Sequence, residues 1–251
     1  MFNKKLTTTA VAATLMAGMG STQVQAVEVS GNVALTSDYR FRGISQSDKD
    51  MAIQGGFDVA FEQGFYVGTW ASSVDFDIPE DDKTQAGDGN IEVDAYVGWS
   101  GPIGDTDFGI DTGFIYYTYP GDKGEDGDYR EVYLQGSYKD LTLGVAYSDN
   151  YWAKTGEFTY LHADYGFGLM EDVTLSLHAG YNILDDDGGF LATGSSGKNR
   201  DNYFDYSVSV GYEWADLEFN LAWIGTNLDK KDVFGQDWAD DTAVLTISKS
   251  L

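Results

Sequence analysis

The sequence predicts an all-β protein: a transmembrane antiparallel up-and-down β-barrel of about 12 strands, with short periplasmic turns and longer external loops. Three observations point there. Apolar and polar residues alternate with period two along nearly the whole chain after residue 26. Short and long connections alternate strictly between the alternating segments. Aromatic residues, 15% of the chain, recur on the apolar face near both ends of the strands.

The N-terminus comes first. Lys4 and Lys5 form a positive segment, Ala10–Met19 an apolar and small-residue segment, and Val24-Gln25-Ala26 a small-x-small cleavage site. This is the pattern of a cleaved signal peptide over residues 1–26, with 27–251 as one transmembrane barrel domain. The apolar run is too short to span a bilayer as a helix, and nothing later approaches the ~18 apolar residues a spanning helix needs.

Charge and composition narrow the classes. The chain carries 15 bases and 41 acids, a net charge of −26. Losing residues 1–26 removes two lysines and no acids, which leaves 13 bases against 41 acids and −28. Such a surface repels nucleic-acid phosphates and favours cations. Cysteine is absent, so disulfides and thiolate metal sites are excluded. Gly at 31 and Pro at 3, with mean hydropathy of −0.30, fit strands that show one face to lipid and the other to a polar interior.

Strand one is placed near Val29–Gly43, with Val29, Val33, Leu35, Tyr39 and Phe41 toward lipid and Ser30, Asn32, Thr36, Asp38, Arg40 and Arg42 inward. Strand two, near Met51–Gln63, sets Ile53, Phe57, Val59 and Phe61 against Gln54, Asp58 and Glu62. Strand three, near Phe65–Asp77, puts Val67 and Trp70 on opposite faces, which predicts a bulge or partial exposure. Strand four, near Asn90–Ser100, alternates cleanly. The remaining strands are placed near 106–119, 129–139, 141–152, 157–167, 173–183, 203–213, 217–227 and 241–251.

Short turns are expected at Glu62–Gly64, Gly101–Asp105, Lys139–Asp140, Gly168–Asp172 and Trp214–Asp216. Longer segments near 43–50, 77–89, 120–128, 184–202 and 228–240, with a short one near 153–156, would lie outside. An even strand number leaves both termini at the short-turn end. Trp99, Tyr138, Tyr165 and Tyr212, with Phe108, form an expected aromatic belt there. Tyr147, Tyr181 and Trp223, with Tyr39, Phe41 and Tyr206, form the other.

The stretches Val29–Gln46, centred on Ser37-Asp38-Tyr39-Arg40-Phe41-Arg42-Gly43-Ile44-Ser45-Gln46, and Gly64-Phe65-Tyr66-Val67-Gly68-Thr69-Trp70-Ala71-Ser72 resemble the TorF family of bacterial outer-membrane porins, over the full length of the chain. The resemblance implies an outer-membrane barrel with a pore and leaves the solute open. The terminal Leu251 departs from the aromatic that outer-membrane proteins commonly carry.

The expected pore-lining residues are Arg40, Arg42, Asp58, Glu92, Asp94, Asp111, Glu131, His162, His178, Asp205 and Glu218. Acids outnumber bases among them, and carboxylate rings favour cations. The sequence therefore points to an outer-membrane porin-like channel of a Gram-negative bacterium, passing small solutes or ions with a weak cation preference. The competing readings are a structural or adhesive barrel with ion-binding acidic loops, filled by its own side chains, and an outer-membrane hydrolase.

Arg40 and Arg42 could orient an anionic group or pin an acidic loop; the surrounding carboxylates favour pinning. His162 and His178 fall on adjacent strands and come opposite each other if the turn centres on Met170, where they could hold a metal or simply line the lumen. The loop acids Glu80-Asp81-Asp82, Asp122–Asp128, Asp185-Asp186-Asp187 and Asp237–Asp241 are candidates for weak Ca²⁺ or Mg²⁺ binding and no cofactor is otherwise expected. The 184–202 loop, with four glycines, is the candidate constriction. No nucleophile elbow, HExxH or phosphate loop is present, so no enzyme is predicted. The expected partners are outer-membrane lipid, lipopolysaccharide and small solutes or ions; nucleic acid is not among them.

Overall fold

A computed structural model describes residues 27–76, 89–122, 127–185 and 200–251. The expected signal peptide, the Glu80-Asp81-Asp82 and Asp186-Asp187 acids and most of the 184–202 loop lie outside the described residues.

Twelve strands close into an antiparallel barrel: β1 (Val27–Thr36), β4 (Ala52–Phe61), β5 (Phe65–Ser73), β6 (Ile91–Pro102), β7 (Phe108–Thr118), β8 (Tyr129–Tyr138), β9 (Leu141–Ser148), β10 (Phe158–Met170), β11 (Val173–Leu184), β12 (Asn202–Trp214), β13 (Leu217–Thr226) and β14 (Thr242–Ser250). Each pairs with its sequence neighbours in the barrel, and β1 closes on β14. At the closure, Leu251 N–H donates to Gly31 O at 2.8 Å and Gly31 N–H to Leu251 O at 3.4 Å. The non-aromatic C-terminus still completes the seam. Closure leaves no unpaired sheet edge, the condition for carrying strands through hydrocarbon.

Alternation sorts the side chains. Val29, Val33, Leu35, Ile53, Phe57, Val97, Leu134, Leu143, Leu161, Val208 and Leu221 are exposed outward, while the residues between them point into the barrel. An exposed apolar surface all round a closed barrel is the surface of a transmembrane protein. Trp99, Tyr138, Tyr165 and Tyr212, with Phe108 stacked 4.5 Å from Tyr138, lie outward at the short-turn end. Tyr147, Tyr181 and Trp223 lie outward toward the long loops, Tyr181 with its ring 4.6 Å from Phe204.

Four sequence expectations are corrected. Strand one ends at Thr36 rather than Gly43. The chain then turns inward and forms a small hairpin, β2 (Arg40–Phe41) and β3 (Ile44–Ser45), so Tyr39 is buried and Phe41 partly buried inside instead of facing lipid. The hairpin preserves period two, and for that reason alternation reads straight through the departure. Strand three carries no bulge: β5 pairs in continuous register with both neighbours, Val67 facing out and Trp70 packing inside at 5.4 Å from Tyr39. The register shift falls in β10 instead, between Gly168 and Met170. The hairpin turns at Glu171–Asp172 instead of centring on Met170, so His162 pairs with Gly180 and Asp164 with His178.

Candidate functional site

The lumen has two halves built from different chemistry. At the long-loop end, residues 37–50 fold across the interior. Asp38 organises them: its Oδ2 accepts from Arg40 Nε at 2.6 Å and its Oδ1 from Ser45 Oγ at 2.6 Å. Arg40 Nη1 also donates to the Gly43, Trp238 and Asp240 carbonyls at 3.0, 2.6 and 3.2 Å. Its guanidinium thus ties the hairpin to the 227–241 connection. Trp238 Nε1 donates to Asp48 Oδ1 at 2.7 Å, and Lys49 Nζ lies 3.1 Å from Asp237.

The hairpin then reaches the opposite wall. Arg42 makes a two-pronged pair with Glu131 of β8, both contacts at 2.7 Å, with both side chains buried. Its guanidinium carbon also sits 4.4 Å from the Tyr160 ring centre and 4.6 Å from those of Phe41 and Phe158. The planar fork matches the carboxylate edge and its faces match the rings, a combination lysine could not supply. Tyr39 Oη donates to Glu92 of β6 at 3.1 Å. At the tip, Arg42 and Gly43 take φ of 48° and 82°. A Cβ at Gly43 would overlap Thr226 Cγ2 and lie 2.9 Å from Asp205 Cβ, so only glycine fits.

Aromatic residues fill the space around the hairpin. Phe41, Ile44, Phe76, Tyr119, Tyr129, Tyr151, Trp152, Tyr203, Val233, Phe234 and Trp238 line a small cavity there.

The short-turn half is lined differently. Tyr66 and Tyr96 lie flat against glycines on the neighbouring strand, Gly98 and Gly68 respectively, and Tyr133 does the same at Gly113. Their hydroxyls reach carboxylates: Tyr96 donates to Asp58 at 2.6 Å and Tyr66 to Asp111 at 2.6 Å, with Tyr66 also bonded to Tyr133. Each ring occupies the space a side chain on the facing glycine would take. Sequence reading passed over this pattern, although Tyr66-x-Gly68 and Tyr96-x-Gly98 share inward parity and signal it.

The expected lining residues divide accordingly. Arg40, Arg42, Glu92, Asp94, Glu131 and Asp205 are buried; Asp58, Asp111, His162, His178 and Glu218 are half-buried on the inward face. Arg40 and Arg42 belong to the hairpin rather than to a barrel strand. Among the described residues, 37–50 and 227–241 fill the long-loop end; sequence reading ran 37–43 on as part of strand one and left 43–50 and 228–240 as external loops.

His162, Asp164 and His178 meet on the wall. His162 Nδ1 is 2.6 Å from Asp164 Oδ2, and His178 Nδ1 is 2.7 Å from Asp164 Oδ1. His178 Nε2 is 2.9 Å from Asp205 Oδ1 and 2.8 Å from the Tyr160 hydroxyl. Asn182 Nδ2 donates to Asp205 Oδ2 at 2.7 Å.

A family model described as "Bacterial protein of unknown function (Gcw_chp)" matches residues 20–251. The chain belongs to that family. No curated protein matches it. Among solved structures, a KdgM porin aligns at TM-score 0.51 with 11% identity, covering 88% of this chain and 97% of that one. A NanC porin aligns at 0.52 with 12% identity, covering 88% and 98%. A KdgM porin in complex with disordered oligogalacturonate aligns at 0.50 with 12% identity, covering 89% and 98%. At that identity the likeness shows the porin barrel fold alone.

Proposed function

We propose that this member of the family is a porin-like channel of the Gram-negative outer membrane, passing small solutes or ions by diffusion with a weak preference for cations. Residues 1–26 serve as its signal peptide, and the long loops face outward toward lipopolysaccharide. The TorF-type likeness of Ser37–Gln46 supports the same reading.

One observation carries the cation preference. The two inward arginines are committed to acids, Arg40 to Asp38 and Arg42 to Glu131. Asp58 and Asp111 are instead held by tyrosine hydroxyls, which hydrogen-bond a carboxylate without cancelling its charge. A lumen of negative charge lowers the barrier for cations and raises it for anions. For the same reason the polyanionic saccharide held by the KdgM porin is not carried over to this chain.

The test is the reversal potential of the refolded barrel in a planar bilayer under a KCl gradient. A cation-biased potential supports the reading, and chloride selectivity overturns it. Asp58→Asn with Asp111→Asn should weaken the bias, because these two acids are half-exposed where Glu92 and Asp94 are buried beneath the hairpin. The inserted hairpin favours a second reading, a barrel closed at the long-loop end whose loop acids, Asp237–Asp241 among them, hold Ca²⁺ or Mg²⁺. A folded, inserted and silent protein would select it.

A further inference from the structure

We propose that His162, Asp164 and His178 form a binding site for a divalent transition-metal ion of the zinc class on the lumen wall.

The chain has two histidines, and both converge on one carboxylate. Asp164 stands two residues after His162 on β10 and directly opposite His178 on β11, so period two and antiparallel pairing bring all three to one face. One donor atom from each lies within 4.8 Å of the others, and an ion bound at about 2.0–2.1 Å would replace the two Nδ1–carboxylate hydrogen bonds, spreading those donors to about 3.3 Å. Two imidazoles and a carboxylate suit zinc, nickel or copper, whereas Ca²⁺ and Mg²⁺ take all-oxygen shells.

The surroundings are arranged as metal-site surroundings usually are. His178 presents Nδ1 to the site while its Nε2 is held by Asp205, and Asp205 is fixed by Asn182 and by Tyr160, whose hydroxyl is 3.2 Å away. A histidine whose outer nitrogen is anchored to a carboxylate is oriented for coordination through the inner one. The His162 ring lies over Gly144 of β9, where any side chain would displace it. All three ligands are half-buried on the inward face, so an ion can reach them from the lumen. Asp164 pairs with Thr142, close to the Lys139–Asp140 turn, so the site is approached from the end opposite the hairpin.

The experiment is calorimetric titration of the refolded barrel with Zn²⁺ in excess Mg²⁺, which saturates the loop acids. Binding of about one ion per barrel is expected, with His162→Gln weakening it by at least ~10-fold and Asp205→Asn by ~10–100-fold. Co²⁺ should give visible absorption from nitrogen and oxygen ligands in the unmodified protein, a readout that needs no variant to fold. Heats abolished by Mg²⁺, heats unchanged in folded His162→Gln, or a Co²⁺ spectrum of the aquo ion would each overturn the proposal. Binding is read without conduction: a silent barrel that binds Zn²⁺ leaves the site standing, and a conducting one that does not removes the site alone.

Discussion

The two halves of the lumen solve the same problem, placing polar groups inside a barrel, in opposite ways. In the long-loop half the inward arginines are buried against acids, Arg42 with Glu131 and Arg40 with Asp38, packed among aromatic rings, and Glu92 is buried beside the Tyr39 hydroxyl. In the short-turn half, acids stay half-exposed beside tyrosine hydroxyls, and the rings lie flat on glycines. Removing one partner of such a buried pair is strongly destabilising, so the pairs hold the hairpin in place. The second half keeps Asp58 and Asp111 in contact with water. On the proposed function, selectivity lies in the short-turn half, and the hairpin narrows the other.

The largest effect that would break this contrast is Arg42→Ala. It leaves Glu131 buried without its partner and should cost about 3–5 kcal/mol, read from urea unfolding of the refolded barrel. A double-mutant cycle with Glu131→Ala should recover much of that loss; additive losses would mean the pair is not coupled. Gly43→Ala comes next. A side chain at φ 82° against Thr226 and Asp205 should loosen the hairpin by more than about 1 kcal/mol, seen as protease cleavage within 37–50.

Gly68→Val sharpens the comparison from the other side. It evicts the Tyr96 ring from the wall toward the axis, and unit conductance should fall with little change in selectivity. The smallest effect is expected at the surface. Lys49 hydrogen-bonds Asp237 and holds its carboxyl below the ordinary range. Lys49→Ala should cost less than about 1 kcal/mol because both groups meet solvent. The folded-state value is lowered, so the contribution is present at neutral pH and fades as pH falls through the carboxylate range; salt should also erase it.

The wall of the barrel was legible in the sequence because period two is a geometric property of strands. The twelve strands and the short turns between them follow from it. The hairpin was not legible, since Tyr39, Phe41 and the arginines continue the same alternation after the chain has left the wall. Only long-range partners, Glu131 and the Trp238 carbonyl, reveal the turn inward. The histidine pair was legible in parity but not in register. A turn centred on Met170 faces them directly, and the register observed places Asp164 opposite His178 instead.

The most direct test compares the single-channel conductance of the wild-type barrel with that of a variant in which residues 38–48 are replaced by a Gly-Ser linker of equal length. The account predicts a larger conductance step in the variant, with the cation bias of the short-turn half retained. Equal conductance in the two folded proteins would contradict it, because the hairpin would then not be what narrows the lumen.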